Sequence, residues 1–499
     1  MRPRLMFADG DFDSRAPEPP LAGELVEDLH LETLWAGMAR GDGRLFALAR
    51  AATLAPLTDP AAIAYRQEAL GDCLRNAPAV RALHALADEA VTAEEKTIRV
   101  AGSPEALLNR SRRLLELFCG HLRGLGGLAS RHARDFHSAG FTRLFQLIRT
   151  ELDEEYLRSV EALLGGLDFE HGIIAGARLG EGNKSVDFRL HEPPGKGRAS
   201  SLHRRLKKSG LSYAIPGRYE EDWRALAMFR GSVLAPVADA VTRSADHVRD
   251  FFRALRDELG FYVGCLNLAE TLSRLGLPVC LPEPHPAGAG VFTARGLYEP
   301  CLALRLDAAV EGNDVDADGI GLISVTGANR GGKSTFLRSV GVAHLMMQCG
   351  MFTCAGRFAA SAPEGVFTHF KREEDRSMSS GKLDEELSRM SAIVDRLRPG
   401  SLVLCNESFM STNEREGSDV SVEVVGALTG LGVRVVSVTH LYGFARRMRE
   451  ERPDGCLFLT AGREAGGERT FRLQPGIPSP TAHAGDLYAR IFGESGGSS

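Results

Sequence analysis

The stretch Ile320-Gly321-Leu322-Ile323-Ser324-Val325-Thr326-Gly327-Ala328-Asn329-Arg330-Gly331-Gly332-Lys333-Ser334-Thr335 decides how the chain is read. Its first part, Ile320–Val325, is an apolar run of strand length, the pattern of a strand buried on both faces. Its second part fits G-x-x-x-x-G-K-[ST], and an amphipathic helical pattern follows from Lys333. Gly327, Gly331 and Gly332 let backbone N–H groups wrap a phosphate, and the helix N-terminus adds its positive end. Lys333 is then placed to reach the β/γ oxygens of ATP, and Ser334 to offer a hydroxyl to Mg²⁺. Asn329 and Thr335 complete the expected nucleotide loop. A glycine turn with a surface lysine would need neither the strand before it nor the helix after it.

Working outward, the chain alternates between strand, loop and helix from about residue 291 on, which predicts an α/β domain with a mainly parallel sheet. Strands are expected near 320–326, 402–406, 433–438 and 456–460, and helices from about Lys333, Leu383 and Ser418. The helix from Leu383 is expected to place Leu387, Met390, Val394 and Leu397 on one face. The strand from Leu402 ends in Asn406-Glu407. A carboxylate there can orient or activate the attacking water, and Asn406 falls where such sites place the Mg²⁺-supporting acid. The strand Val433–Val438 ends in Thr439-His440, where a histidine can sense a γ-phosphate, although a lone histidine can equally be structural.

Upstream the texture is different. From Leu21 to Leu164 the sequence is rich in Ala, Leu, Arg and Glu, with helical spacing such as Leu114, Leu117, Phe118, Leu122 and Leu125. Two β-like runs near Gly172–Leu179 and Ser185–Leu190 suggest a hairpin. A loop and a basic run follow, with Lys196, Arg198, Arg204, Arg205, Lys207 and Lys208 and no acid among them. Helical spacing returns from Asp222 to Leu275, long enough for a lever. The residues predict an α/β P-loop domain at the C-terminus, preceded by a mainly α-helical part; the family resemblance of the motifs further implies that the first is an ABC-type ATPase domain and the second a core and lever domain. The expected boundaries are a flexible arm at 1–20, the helical part with a small hairpin or reduced clamp near 165–215 at 21–290, and the ATPase domain at 291–499.

The composition is that of a globular protein. The 499 residues hold 60 Lys+Arg against 65 Asp+Glu, a net charge of −5, with 43% hydrophobic and 25% charged residues. This balance excludes wholesale disorder and a generic polybasic nucleic-acid coat, so any contact with DNA must come from a local patch or an assembled ring. No run of about 18 apolar residues is available for a membrane helix. The first 20 residues lack the apolar core of a secretory signal, and the nine cysteines form no CxxC pair, so a reducing cytoplasm is expected.

Three blocks together resemble one family. Thr326–Arg338, with its Asn329 and paired glycines, resembles the ATPase motif of the MutS DNA mismatch repair family. Ser401–Glu407, with Thr412 and Gly417, resembles that family's acidic motif and the loop after it, and Thr439-His440-Leu441 its Thr-His pair. Gly312-Asn313-Asp314 is similar to the Asn-Asp upstream of the first core strand. Ile63–Leu74 and Phe251–Glu270 look like the core and lever helices. The resemblance implies a composite site in a homodimer. In it Lys333 and Ser334 bind ATP in one subunit, and Ser380, the best match to a signature-loop serine, reaches that γ-phosphate from the other. Ser380 could equally cap the helix from Leu383.

The resemblance has gaps. Asn406 replaces the usual Asp, and Ser408-Phe409-Met410-Ser411 lacks the family's Gly and Arg. The chain looks too short for mismatch-reading and connector domains, a full clamp, a dimerisation tail or a nuclease extension. The expectation is an ATP-dependent, Mg²⁺-using dimer that closes on duplex or branched DNA and reads shape through phosphates, with the 196–208 run as first contact. That run could also be a solvated loop. Two rivals are an ATP-binding switch with little turnover, and an ABC-like ATPase acting on RNA, a ribosome or a protein.

Overall fold

A computed structural model describes residues 1–97, 102–169, 174–179, 181, 185–191, 220–327, 331–372, 381–463 and 469–477. The chain divides into two compact units, Met1–Arg4 with Pro78–Leu259, and Leu5–Ala77 with Gly260–Ser499.

Four helices lie within residues 5–77 or run up to their end: α1 (Ala22–Asp28), α2 (Leu31–Ala39), α3 (Gly43–Leu54) and α4 (Pro60–Arg75). The first unit contains most of α5 (Ala77–Glu95), then α6 (Pro104–His132), α7 (Ala139–Glu151) and α8 (Glu154–Gly166). It also holds the hairpin β1 (Ile174–Leu179) and β2 (Ser185–His191), and the larger part of α9 (Glu220–Arg274). Ser103 caps α6 by accepting from the Ala106 N–H, with Pro104 in the first turn where a missing N–H costs nothing. The hairpin is antiparallel, with Ile174 opposite His191 and Leu179 opposite Ser185. Inside this unit the buried carboxylate of Glu94 is 2.8 Å from Arg253 and 3.8 Å from Arg110.

The second unit is built on two sheets. The strands are β3 (Glu283–His285), β4 (Phe292–Leu297), β5 (Asn313–Asp316), β6 (Leu322–Thr326), β7 (Arg357–Ser361) and β8 (Val366–Phe370). They continue with β9 (Leu402–Asn406), β10 (Arg434–Val438), β11 (Cys456–Arg463) and β12 (Arg469–Pro475). The larger sheet has the order β12-β11-β6-β10-β9-β8, parallel throughout except for β12. All five residues of β6 are buried, which is why the strand is mostly apolar and does not alternate. The smaller sheet runs β3-β7-β4-β5.

The helices of this unit are α10 (Pro300–Leu306), α11 (Lys333–Gln348), α12 (Lys382–Val394), α13 (Glu414–Gly430) and α14 (Tyr442–Glu451). α13 starts earlier than the apolar spacing suggests, because the Asn413 side chain caps it by accepting from the Glu416 N–H at 3.0 Å. α12 is rotated from the expected face. Glu386, Met390 and Ile393 are buried, while Leu387 and Val394 are 39% and 46% exposed. Its N-cap is Gly381, and the serine expected to cap it, Ser380, lies outside the described residues.

The first residues of the chain, expected as a free arm, are anchored at several points. Leu5 and Met6 are buried, the Tyr262 hydroxyl donates to the Leu5 carbonyl at 2.8 Å, and the buried Arg66 donates to the carbonyls of Met6 (2.9 Å) and Cys349 (3.3 Å). Gly350 sits against this arginine at φ +74°, where an added Cβ would lie 2.3 Å from the Arg66 Cβ, so no side chain is accommodated.

Candidate nucleotide site

The register of the larger sheet brings three strand ends to one edge. Val438 of β10 is level with Val325 of β6 and with Asn406 of β9. The residues that follow, Gly327, Glu407 and Thr439-His440, therefore lie together at the carboxyl ends of parallel strands, where open α/β sheets bind ligands.

The glycine loop leaves β6 at Gly327 with φ +115°, and an added Cβ there would be 3.0 Å from the Ala461 nitrogen. Gly332, at φ +90°, is the N-cap of α11, and no side chain caps the helix. The first-turn N–H groups of Lys333, Ser334 and Thr335 therefore have no intrahelical acceptor, and they meet the positive end of the helix dipole. The Lys333 ammonium is buried and donates to the Gly327 carbonyl at 2.8 Å. Burial pulls its pKa down from the ordinary lysine value, opposed by the Glu407 charge. The ammonium therefore sits inside the loop that leads into α11, with one of its hydrogen bonds made to the Gly327 carbonyl.

Ser334 and Asn406, the two residues expected at the metal, meet directly, with the Ser334 hydroxyl donating to the Asn406 amide oxygen at 2.9 Å. Two neutral oxygens make a thin site for a divalent cation, but one that fits Mg²⁺, which commonly takes one or two protein oxygens and fills its octahedron with phosphate and water. No cluster of three or more His, Cys, Asp or Glu side chains suited to a metal occurs among the described residues.

Glu407 follows with φ +56°, and Phe409 with φ +59°. Such left-handed geometry costs a side-chain-bearing residue about 1–3 kcal/mol and needs surroundings that enforce it. Here the Glu407 N–H donates to the Val438 carbonyl at 2.8 Å. The Glu407 carboxylate is 3.6 Å from His440 Nε2. His440 holds its pKa below the usual carboxylate range against the opposing effect of burial, and the charges of Lys371 and Lys333 add to the lowering. Glu407 is thus ionised at neutral pH. His440 Nε2 is buried without a hydrogen-bond partner among the described residues. Thr439 fixes the turn, its N–H donating to the Val325 carbonyl and its Oγ1 accepting from the Leu441 N–H.

One residue near the glycine loop escapes a sequence reading. Phe471 of β12 is 48% exposed at φ +54°, and its carbonyl lies 3.4 Å from where a Gly332 Cβ would stand. Asn313 ties this strand to β5, accepting from the Leu473 N–H at 2.7 Å and donating to the Phe471 carbonyl at 3.4 Å. The only signal in the sequence is an aromatic in a short alternating run more than 130 residues after the loop. Asn329, Ser380 and the basic residues Lys196, Arg198, Arg204, Arg205, Lys207 and Lys208 lie outside the described residues.

Comparison with known proteins supplies the context for this geometry. Residues 323–460, which span the strands and loops just described, match the model for MutS domain V. Residues 58–275 match the model for the MutS2 N-terminal domain. The chain belongs to the MutS family. It is 26% identical over 273 residues to the DNA mismatch repair protein MutS of Chloroflexus aurantiacus, covering 48% of this chain and 28% of that protein. It is 28% identical over 182 residues to Endonuclease MutS2 of Carboxydothermus hydrogenoformans, covering 36% and 23%. A further match is Endonuclease MutS2 of Listeria monocytogenes, 28% identical over 194 residues, covering 37% and 24%. The matched segments span only about a quarter of the length of these relatives. Among the described residues no helix is long and apolar enough to cross a membrane.

Proposed function

We propose that the second unit is a P-loop ATPase and that ATP bound there governs how the protein holds DNA. The observation that carries this reading is the Ser334–Asn406 contact of 2.9 Å, which joins the glycine loop to the strand ending in Glu407. In the proposed complex, the N–H groups at the start of α11 receive the β-phosphate, and Lys333 turns from the Gly327 carbonyl to the β/γ oxygens. Mg²⁺, when bound with the nucleotide, neutralises developing phosphate charge. Ser334 and the Asn406 amide oxygen would hold it, directly or through water. Glu407, ionised and half-buried, orients the attacking water by accepting its hydrogen bond, and His440 meets the γ-phosphate side. The exposed Phe471 ring provides an apolar surface for the nucleotide base.

The composite dimer belongs to the same proposal. Ser380, one residue before the N-cap of α12, would touch the γ-phosphate held by a second copy. The continuous helix Glu220–Arg274 has residues in both units and is the natural carrier of a lever movement. DNA, duplex or branched, would be held by shape through its phosphates, with Lys196–Lys208 as the proposed contact. The relatives, a mismatch repair protein and an endonuclease, support a nucleic-acid ligand.

Asn406 also favours a second reading, a switch that binds ATP and hydrolyses little, because an amide brings no charge to the metal. Asn406→Asp separates the two. If turnover is merely metal-limited, the variant is expected to lower the Mg²⁺ concentration for half-maximal hydrolysis at least about fivefold and to raise the rate. A rate that stays at background in both proteins while ATP binds tightly would establish the switch.

A further inference from the structure

Behind Glu407 lies a buried polar cluster that the proposed chemistry does not use. The loop after β9 contributes Ser408, Phe409 and Ser411; β8 contributes His369; α12 contributes Glu386. His369, fully buried, has its Nε2 2.9 Å from the main-chain oxygen of Glu386 and its Nδ1 2.7 Å from the Ser408 hydroxyl. Burial pushes His369 down to about 4, so the ring is neutral at physiological pH. Facing a carbonyl, Nε2 must carry the proton. Nδ1 is therefore an acceptor, and the single Ser408 hydroxyl proton is shared between it and the His369 carbonyl, 2.9 Å away.

The His369 ring also packs on Phe409, with centroids 5.3 Å apart. The Ser411 hydroxyl donates to Glu386 Oε1 at 3.0 Å. Gly417 of α13 closes the other side, since a Cβ there would stand 2.5 Å from the Phe409 carbonyl.

Two features mark this as more than packing. Glu386 is 4% exposed, and burial raises its pKa against the hydrogen bonding of the Ser411 hydroxyl and the Phe409 main chain, so a costly buried carboxylate is spent on holding this loop. The loop it holds contains both left-handed residues, Glu407 and Phe409, which need enforcement from outside.

We propose that Glu386 is a positioning residue: through Ser411 it fixes the strained turn that presents Glu407, so that the placement of α12 sets hydrolysis without setting nucleotide affinity. Glu386 touches neither phosphate nor water. It acts on Glu407 through the loop, and a displacement of α12 changes the angle at which the carboxylate meets its water. This rests on the ATPase reading of the site, and its test separates the two.

In the full chain, Ser411→Ala and Glu386→Ala are each expected to lower kcat about tenfold or more, as misplacement of a reacting group does. The affinity for a fluorescent ATP analogue should change less than about twofold, because the glycine loop is untouched. The double variant should be no worse than either single one, since both remove the same hydrogen bond. Glu386→Gln keeps an acceptor for Ser411 and should retain most of the rate. Unchanged kcat in both alanine variants, additive losses, or affinity falling in step with kcat would each overturn the proposal.

Amide hydrogen exchange over residues 407–413 gives a readout that does not depend on turnover. Faster exchange in Ser411→Ala and Glu386→Ala, but not in Glu386→Gln, is expected, and exchange indifferent to all three refutes the brace. If the wild-type protein hydrolyses no ATP while exchange responds as expected, the ATPase reading fails and the brace stands.

Discussion

Lys333→Ala is expected to remove nucleotide binding while leaving the fold intact. The ammonium would donate charge-assisted bonds to the β/γ oxygens, and losing a group of this kind should weaken ATP binding by about 100-fold or more. Turnover should fall to background. Stability of the nucleotide-free protein should behave differently. Lys333 is buried and its charged form is disfavoured there, so an alanine in the first turn of α11 removes a desolvated cation and installs a strong helix former. The melting temperature without nucleotide should therefore stay the same or rise, and the rise normally produced by adding ATP should vanish. Thermal melts with and without Mg-ATP check both halves. A variant that melts lower and still shows the ATP-induced shift would mean that Lys333 is a structural residue.

Glu407→Gln is expected to separate binding from chemistry. The carboxylate is ionised, since His440 and two lysines favour its charged form. Glutamine keeps the shape of the strained turn but cannot take a proton or strongly polarise a water. The expected result is a fall in kcat of about 100-fold or more, the upper range for loss of a general base, with ATP affinity preserved. Isotope-labelled ATP recovered intact from the protein after filtration would show the trapped complex. If Glu407→Gln hydrolyses ATP at the wild-type rate, the attacking water is oriented by another group.

Much of this site is legible in the sequence because its parts lie on central parallel strands. β6, β9 and β10 are buried on both faces, so each appears as a mainly apolar run followed by the residues of the site, and the glycine loop announces the helix after it. What is not legible depends on contacts between distant segments. The strands of the smaller sheet, β3, β4, β5 and β7, are three to six residues long, too short for a periodic signal. The grouping of Leu5–Ala77 with Gly260–Ser499 depends on residues such as Arg66, whose polar head is satisfied by the Cys349 carbonyl 283 positions away. Periodicity would read that arginine as surface.

α12 shows how a plausible stripe misleads. Leu387 and Val394 make a better apolar face on paper than Glu386, Met390 and Ile393, yet the Ser411 hydroxyl supplies a polar partner that lets the glutamate side chain turn inward. Phe471 is missed for a similar reason, as it reaches the glycine loop from an antiparallel edge strand with no motif of its own.

On the proposed reading, ATP turnover at the strand ends of the second unit responds to DNA. Steady-state ATP hydrolysis by the full chain, measured alone, with linear duplex and with branched duplex, each at low and high salt, tests it most directly. The account predicts a rate that DNA changes at low salt and that returns to the DNA-free value at high salt, because phosphate contacts weaken steeply as counterions compete. A rate abolished by Lys333→Ala yet indifferent to every DNA at both salts would contradict the claim, leaving an ATPase whose partner is not DNA.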